Sequence, residues 1–326
     1  MQRAIRILAV VLIVQIGAAL ALAWRGAGLS AAQPDAALIG ADLKEIDRLR
    51  IDGPAGGDKP QAASVELVKR DGKWLLPGYF DAPADAAKVD DLLKRLAGAK
   101  RGLPVATSAS ALARFRVADQ EYERRIVAAR GETTLATVFL GTSSGVRKAH
   151  ARTAQDQAVY AIELAAYEVR TAPADWLDQS LLMRDAAALA EIAVAAAGKP
   201  TLTLRRAQRK EGDQTSSTWE AESGQSVDQA KASALADAIV NLKVDAVLGK
   251  EPKPEWRLDQ PDLRLTLKDT QGKTSQWSIS KAKSGDIHVL KASDQSWYLE
   301  IKSWNARPLL EAAVPDKLLA AAAAKS

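Results

Sequence analysis

Two segments of the chain follow one pattern: HARTAQDQAVYAIELAAY, residues 150–167, and HVLKASDQSWYLEIKSW, residues 288–304. Each begins with one of the two histidines in the chain, His150 and His288. Each then has an Asp-Gln pair six residues later and a tyrosine shortly after that pair. The alternation of polar and apolar residues around each histidine predicts a strand. The recurrence predicts that the chain contains one module twice.

The residues upstream of the two segments also match. The first copy has the hairpin pattern SVELVKRDGKWLL with Trp74, and the second has a longer hairpin pattern with Trp219 in the matching place. Each hairpin is followed by a predicted helix with one apolar stripe, at residues 81–99 and 226–244. Ser226 is a suitable N-cap for the second helix.

Strands and a short closing helix are predicted for the rest of each copy. A linking stretch ends in Phe115 in the first copy and in Trp256 in the second. The number of residues between matched positions of the two copies falls smoothly, from 145 at the tryptophans to 138 at the histidines. Small deletions in the loops of the second copy would produce this decrease. We therefore predict an α+β fold made of two tandem repeats, each an antiparallel sheet with packed helices. Their bounds are 42–185 and 186–314, followed by an alanine-rich tail at 315–326.

Residues 1–25 predict a membrane anchor. The apolar run at residues 7–24 contains one polar side chain, Gln15. Eighteen helical residues reach ~27 Å, close to the ~30 Å thickness of the hydrocarbon core. We therefore expect a transmembrane helix before the repeats. The predicted anchor residues lie in this run or at its outer end: Ile7, Leu12, Leu20, Trp24 and Arg25.

The charges that precede the apolar run predict its orientation. Arg3 and Arg6 favour a cytoplasmic N-terminus, which places residues 26–326 in the periplasm of a single-pass inner-membrane protein. The alternative is a signal peptide cleaved after Ala23, although the apolar run is longer than a usual signal core. Residues 26–41 read as a linker. Both alternatives put the folded part outside the inner membrane.

The composition excludes several classes of function. The 326 residues include 45 Lys and Arg against 40 Asp and Glu, a net charge of +5. Three of the basic residues flank the apolar run, and no acidic residue precedes Asp35, which leaves 42 against 40 elsewhere. No basic block with interleaved aromatic residues follows, so we expect no nucleic-acid binding. Because cysteine is absent, the chain offers no disulfide and no thiolate metal ligand.

An ordered set of motifs resembles a known family. The set comprises IDRLRID, VELVKRDGKWLL, PADAAKVDDLLKRL, TLATVFLG, HAR ahead of VYAIE, and SLLMRDAAALAEIAV. It resembles the bacterial domain-of-unknown-function family 4340 over about residues 42 to 311, with the second copy more diverged. His150 stands where members of that family typically have a tyrosine, which fits an aromatic packing position better than a catalytic one.

This resemblance implies a cellular role without a reaction. Members of the family are similar in being membrane-anchored and outward-facing. Their genes often accompany an ABC transporter of the gliding-motility type and its large extracytoplasmic auxiliary subunit. The resemblance therefore implies a non-enzymatic accessory of an ABC-type transport or cell-envelope complex. The implied partner is the ABC permease or its auxiliary subunit, and no catalytic residue is carried over.

Two short motifs resemble catalytic ones. GTSSG, residues 141–145, matches G-x-S-x-G with Ser143 as the nucleophile, but strands on both sides predict a hairpin turn instead of a strand-turn-helix elbow. SISK, residues 278–281, matches S-x-x-K, but a strand would put its serine and lysine on opposite faces. We therefore expect no catalytic residue, no cofactor and no metal site. A hydrolase that uses Ser143 or His150 is the least favoured alternative.

Tryptophans are the remaining candidates for binding. The chain has eight tryptophans against three phenylalanines. Most are expected in the core, whereas an exposed Trp256 or Trp304 would contact a partner protein or stack on a sugar ring. Two functions therefore stay open. One is an accessory that docks a protein partner, and the other is a periplasmic module that binds a glycan or a peptide in a groove lined by tryptophan.

Overall fold

The computed structural model describes residues 12, 14–17, 36–56, 64–183, 185–211 and 214–320. Within those residues the chain forms mainly antiparallel strands. In chain order the strands are β1 (Ala36–Ala37), β2 (Arg48–Asp52), β3 (Ser64–Arg70), β4 (Lys73–Leu76), β5 (Ala82–Pro83), β6 (Lys100–Arg101), β7 (Arg124–Arg130), β8 (Thr133–Gly145), β9 (Lys148–Thr153), β10 (Tyr160–Ile162), β11 (Leu189–Ala196), β12 (Leu202–Glu211), β13 (Gln214–Ala221), β14 (Ala246–Gly249), β15 (Leu263–Asp269), β16 (Thr274–Lys281), β17 (Ile287–Ala292) and β18 (Tyr298–Lys302).

The helices are few and short beside this set of strands. They are α1 (Ala86–Gly98), α2 (Ala109–Arg114), α3 (Gln229–Val240), α4 (Ser303–Ala312) and α5 (Pro315–Leu318). The prediction of an α+β fold was therefore wrong in the weight that it gave to helix, because the described chain is mostly sheet. The predicted closing helix of the first copy is only a 3-10 turn, Ala166–Glu168. Such a short segment has too few hydrogen bonds to repay helix nucleation.

The transmembrane part of the fold prediction is also corrected. Among the residues that the structure describes, none belongs to a helix with the length and apolar character needed to cross a membrane. Of the predicted anchor only Leu12 and residues 14–17 are described, and these are helical and exposed. The other predicted anchor residues lie outside the described residues: Ile7, Leu20, Trp24 and Arg25.

Two compact units divide the chain according to its internal contacts. The first comprises Met1–Ala63 and Asp91–Arg170, and the second comprises Ser64–Asp90 and Thr171–Ser326. The bounds of the predicted repeats, 42–185 and 186–314, come from sequence similarity, whereas the bounds of the two units come from contacts, so the units do not test the repeats. Their bounds therefore stay a prediction.

An antiparallel sheet with strand order β10-β9-β8-β7-β2 forms the first unit. Side chains that alternate along its central strands point to one buried face. Leu49 and Ile51 on β2, Ile126 on β7, and Val138 and Leu140 on β8 are all at most 1 % exposed. These side chains form the core of the unit.

A second antiparallel sheet, with order β13-β12-β11-β15-β16-β17-β18-β14, forms most of the second unit. The alternation in LRLTLKD on β15 buries Leu263, Leu265 and Leu267, as the period of two requires. The apolar stripe of α3, which includes Leu235 and Ile239, is also buried. This confirms the predicted helix, and α3 packs against β13 and α4.

The N-cap of α3 differs from the prediction. Helix α3 begins at Gln229, and an Oδ of Asp228 accepts a hydrogen bond of 3.2 Å from the Lys231 backbone N–H. That bond, together with the Lys231 ammonium 3.1 Å away, lowers the pKa of the Asp228 carboxyl. Ser226 is therefore not the cap, because the extended residue that directly precedes the helix takes that role.

The strand orders of the two units correspond. The series β2-β7-β8-β9-β10 matches β11-β15-β16-β17-β18, each neighbour being antiparallel to the next. The hairpins β3–β4 and β12–β13 precede α1 and α3 respectively, and His150 and His288 lie on the matching strands β9 and β17. The tandem duplication itself stays a prediction, which this correspondence favours.

The two tyrosines of the repeated pattern differ in register. Tyr160 lies opposite Ala151, one residue after the histidine of its unit, whereas Tyr298 lies opposite Lys291, three residues after the other histidine. The Tyr160 hydroxyl donates a hydrogen bond of 2.9 Å to Asp156. Because of the two-residue shift, Tyr298 has different neighbours despite its matching place in the sequence.

Side-chain amides bind the backbone near both ends of the second sheet. On the edge strand β13, the Trp219 N–H donates to the Gln229 amide oxygen at 2.7 Å, and the Gln229 amide nitrogen donates to the Trp219 carbonyl at 2.8 Å. Gln179 makes the same pair of bonds, at 3.0 and 3.1 Å, with Val244 just before the edge strand β14. Each amide takes the place of one residue of a neighbouring strand.

Gly141 on β8 lies where the loop after α2 crosses the first sheet. A Cβ at this position would lie 1.9 Å from the Phe115 carbonyl oxygen and 2.7 Å from that of Arg116. Because both neighbours are backbone atoms, no larger residue fits without a shift of the loop. The first glycine of GTSSG is therefore required for packing.

We expect Gly141→Ala to lower the free energy of unfolding by about 3 kcal/mol, because the new methyl group overlaps backbone atoms. Ser143→Ala, in the same motif but exposed, should change it by less than about 0.5 kcal/mol. Urea unfolding followed by circular dichroism measures both values. Equal and small changes in the two variants would contradict this account of the glycine.

Candidate functional site

A cleft of about 600 Å³ lies on the second unit, between the loop at residues 252–260 and the side chains of Lys283 and Tyr298. We name it the Trp256 cleft. Every residue that lines it belongs to one unit, and all are among the described residues. Its size suits a small ligand or a few residues of an extended peptide.

Two stacked aromatic rings form one wall of the Trp256 cleft. Trp256 ends the 3-10 helix Pro254–Trp256, where a proline at the first position fixes the backbone angle φ. Its indole is 5 % exposed and lies 4.8 Å, centroid to centroid, from the ring of Tyr298 at the start of β18. The Lys253 ammonium lies 5.4 Å from the indole centroid, within the range of a cation–π contact.

Arg257 follows Trp256 in an unusual backbone conformation. Its φ and ψ of 55° and 26° place it in the left-handed region, which costs a non-glycine residue about 1 kcal/mol. The buried Ser280 hydroxyl on β16 donates a 3.0 Å hydrogen bond to the Arg257 carbonyl and so fixes the turn. The Arg257 side chain itself is exposed at the cleft.

Positive charge dominates the Trp256 cleft. Lys253, Arg257 and Lys283 line it, together with one carboxylate, Asp259. Among the described residues, none of these three cations has a carboxylate oxygen within the 4.0 Å of an ion pair. Cations without a counter-charge, gathered at one concave surface, attract an anion. The cleft therefore combines an aromatic wall with a site for negative charge.

A fourth lysine lies beside the Tyr298 ring. Lys291 on β17 has its ammonium 5.4 Å from the ring centroid and donates to the Gln295 carbonyl. Burial lowers the pKa of Lys291, and the nearby Asp294 partly opposes that shift. This lysine contacts Tyr298 while one of its three N–H donors is bound to the backbone.

The two predicted tryptophans lie in different surroundings. Trp256 is buried in the wall of the cleft that bears its name, whereas Trp304, the second residue of α4, is 64 % exposed and does not line that cleft. Sequence reasoning missed Arg257, Lys283 and Tyr298 as site residues. The sequence does contain a signal for Arg257, because an aromatic residue followed by arginine occurs in both copies, as Phe115-Arg116 and as Trp256-Arg257.

The catalytic motifs have structural roles. The prediction of a hairpin turn at residues 141–145 was wrong, because this segment ends strand β8 and the turn follows at residues 146–147. Ser143 is exposed there, and its hydroxyl donates to the Gly145 carbonyl at 3.0 Å. Ser278 lies in strand β16, as the alternation predicted. Nδ1 of His150 lies 2.9 Å from the Thr142 hydroxyl, and the imidazole stacks on Phe115 at 4.2 Å. His150 therefore has the aromatic packing role that was expected of it.

No metal site is evident in the described part of the chain. It contains no group of three or more His, Cys, Asp or Glu residues placed to hold an ion. The imidazole of His288 is 7 % exposed, with the Ser303 hydroxyl 3.4 Å from its Nδ1. Burial lowers the pKa of His288, the Lys281 charge lowers it further, and Asp262 and Asp286 oppose the shift.

This shift predicts a loss of stability in acid. Between the lowered pKa of His288 and the ordinary value of about 6.5, unfolding takes up a proton, so the free energy of unfolding falls as the pH falls. Above about pH 6.5 the contribution is fully retained. We expect the wild type to lose more stability than His288→Gln between about pH 7.5 and about pH 5 in urea titrations. Lys281→Gln should lose an intermediate amount, and equal losses in all three proteins would contradict the assignment.

Comparison with known proteins gives the family. The model of the family described as Domain of unknown function (DUF4340) matches residues 74–261, more than half of the chain. The match runs from Trp74 on β4 to Pro261, just before β15, and so contains the turn with Trp256 and Arg257. No curated protein and no solved structure matches the chain. The chain therefore belongs to the DUF4340 family, which confirms the predicted resemblance.

Proposed function

We propose that this protein is a non-enzymatic binding module that serves as an accessory of an ABC-type transport or cell-envelope complex. The observation that carries the proposal is the Trp256 cleft, where Lys253, Arg257 and Lys283 meet the stacked rings of Trp256 and Tyr298. Such a surface recognises a partner by charge and by aromatic contact. It needs no reacting group to do so.

The partners of the candidate nucleophile and base support binding over hydrolysis. Acyl transfer by serine needs a base within hydrogen-bond reach of the hydroxyl. The Ser143 hydroxyl donates to the Gly145 carbonyl, and His150 is engaged with Thr142 and Phe115. A hydrolase that used either residue would have to give up these contacts.

The proposed partner and compartment come from the resemblance and from the start of the sequence. We propose the ABC permease or its large auxiliary subunit as the partner, because family members are often encoded beside both. Arg3 and Arg6 precede an apolar run, a pattern typical of exported chains, so residues 26–326 are proposed to lie in the periplasm. Trp304, exposed on α4, is a second contact residue for the partner.

A second candidate is a periplasmic module that binds a glycan or a peptide on its own. The observation that favours it is the half-buried ring of Tyr298, which Trp256 supports from behind, since an aromatic ring at a cleft packs on sugars and on apolar side chains. This candidate requires measurable affinity for a free ligand in the absence of any protein partner.

The accessory role predicts co-purification. The tagged full-length chain, crosslinked in membranes and isolated in mild detergent, should carry the ABC permease or its auxiliary subunit in near-stoichiometric amount. Trp304→Ala should reduce the recovered partner several-fold, because an exposed tryptophan at an interface commonly contributes more than about 2 kcal/mol. Mass spectrometry of the isolated complex measures the ratio.

Tyr167→Ala is the matched control, since Tyr167 is an equally exposed aromatic residue at 61 %, in the first unit. It should leave the partner ratio unchanged. Isolation of the chain without either subunit, even after crosslinking, would overturn the accessory role and leave the free-ligand candidate.

A further inference from the structure

The first unit contains a turn that matches the one in the Trp256 cleft. Phe115 and Arg116 correspond to Trp256 and Arg257, and the two arginines have φ angles of 54° and 55°. The Phe115 ring stacks on His150 at 4.2 Å with a 38° tilt, against 4.8 Å and 39° for the rings in the cleft. Each turn therefore presents an arginine beside a tilted aromatic pair, although the second ring comes from different strands, His150 from β9 and Tyr298 from β18.

The strand beneath holds both turns by their carbonyl groups. In the first unit β8 approaches so closely that only Gly141 fits against the Phe115 and Arg116 carbonyls. In the second unit the matching strand β16 brings the Ser280 hydroxyl to the Arg257 carbonyl at 3.0 Å. The common support makes the surroundings of the two arginine side chains directly comparable.

The arginine of the first unit forms two ion pairs. Nη1 of Arg116 lies 3.4 Å from a Glu121 carboxylate oxygen, and Nη2 donates to the Ala55 carbonyl at 3.2 Å. Its Nε lies 2.5 Å from a Glu123 carboxylate oxygen but lacks hydrogen-bond geometry, so that contact is an ion pair. Two carboxylates, two residues apart in one extended segment, thus neutralise Arg116.

In the second unit, among the described residues, no carboxylate pairs with the matching arginine, Arg257. The β7–β8 ladder pairs Ile126 with Val138 and the β15–β16 ladder pairs Leu265 with Trp277, which aligns Gln260 with Glu121 and Asp262 with Glu123. The Asp262 carboxylate instead accepts a hydrogen bond of 2.7 Å from the Lys281 backbone N–H. Arg257 keeps the backbone conformation of Arg116 but makes neither of its two ion pairs. The unpaired guanidinium of Arg257 lines the Trp256 cleft.

We propose that the Trp256 cleft binds an extended acidic peptide segment of a partner protein. Two carboxylates of that segment, at positions i and i+2, take the place beside Arg257 that Glu121 and Glu123 have beside Arg116. Residues two apart in an extended chain project to one side, so both reach one guanidinium. Lys253 and Lys283 supply further positive charge. This inference rests on the proposed function and names the chemistry of the partner.

A peptide fits the Trp256 cleft better than an anionic sugar does. The fork of Arg116 takes a backbone carbonyl, that of Ala55, in addition to two carboxylates. A polypeptide offers amide carbonyls and closely spaced carboxylates together, whereas a uronic-acid chain has no amide carbonyl and offers hydroxyl and ether oxygens beside its carboxylates. The bidentate donors of arginine suit this combination.

Calorimetric titration of the full-length chain tests the proposal. The probe is the blocked peptide ADQEYE, the sequence of residues 118–123, and its control is ADQQYQ, which lacks the two glutamates. We expect ADQEYE to bind at least about tenfold more tightly than ADQQYQ, since charge-assisted hydrogen bonds carry the contact. Its affinity should fall as salt rises.

The variants locate the binding. Arg257→Gln and Lys283→Gln should each weaken ADQEYE binding by about tenfold or more. Arg264→Gln, which removes an exposed arginine from the neighbouring strand β15, should leave the affinity unchanged. Circular dichroism checks that each variant is folded, and the two cleft variants act as independent tests of one site.

Three results would overturn the proposal: equal affinity for the two peptides, ADQEYE binding that survives both cleft substitutions, or tighter binding of tetragalacturonate than of ADQEYE. The outcome is separate from that of co-purification. If the peptide fails while the ABC subunit still co-purifies, the accessory role stands and the cleft chemistry falls. If the peptide binds as described but no subunit co-purifies, the cleft chemistry stands alone.

Discussion

The close contact between the aromatic–arginine turn and the strand beneath it is the constraint on which the site depends. At Gly141 the turn lies so near the strand that a methyl group has no room, and at Ser280 a buried hydroxyl holds the turn instead. In both turns the arginine lies in the left-handed region, a conformation that a non-glycine residue keeps only when its surroundings hold it. The aromatic residue is then directed onto the sheet, and the arginine is presented at its margin.

One backbone arrangement thus supports two electrostatic outcomes. In the first unit the arginine is neutralised within the chain and contributes to stability, whereas in the second it faces a cleft with two lysines nearby. Membership of a family without an established activity assigns no chemistry. The contrast between the two units indicates the chemistry of the ligand, because Arg116 is paired with two carboxylates and Arg257 is paired with none.

Parts of this structure follow from sequence, and others depend on contacts distant in the chain. The apolar stripes located α1 and α3, and the period of two located β15 and β16, because both patterns are local. The two-residue shift that separates Tyr160 from Tyr298 arises from strand pairing. The nearby Asp262 leaves Arg257 unpaired because its carboxylate accepts from the backbone N–H of Lys281, which is distant in the chain. Local patterns also led to an overestimate of the helical share of the fold. An apolar stripe predicts a helix, but it does not predict how many strands lie beside that helix.

The two glutamine amides near the ends of the second sheet restrict how copies of the protein can associate. An open edge strand invites another chain to extend the sheet, which leads to fibres when the process repeats. Here an incoming strand would first have to displace Gln229 from Trp219, or Gln179 from Val244. Two uncharged side chains thus oppose self-assembly without adding charge that would compete with the cationic cleft. The sheet edges are thereby removed from association, which is left to side-chain recognition.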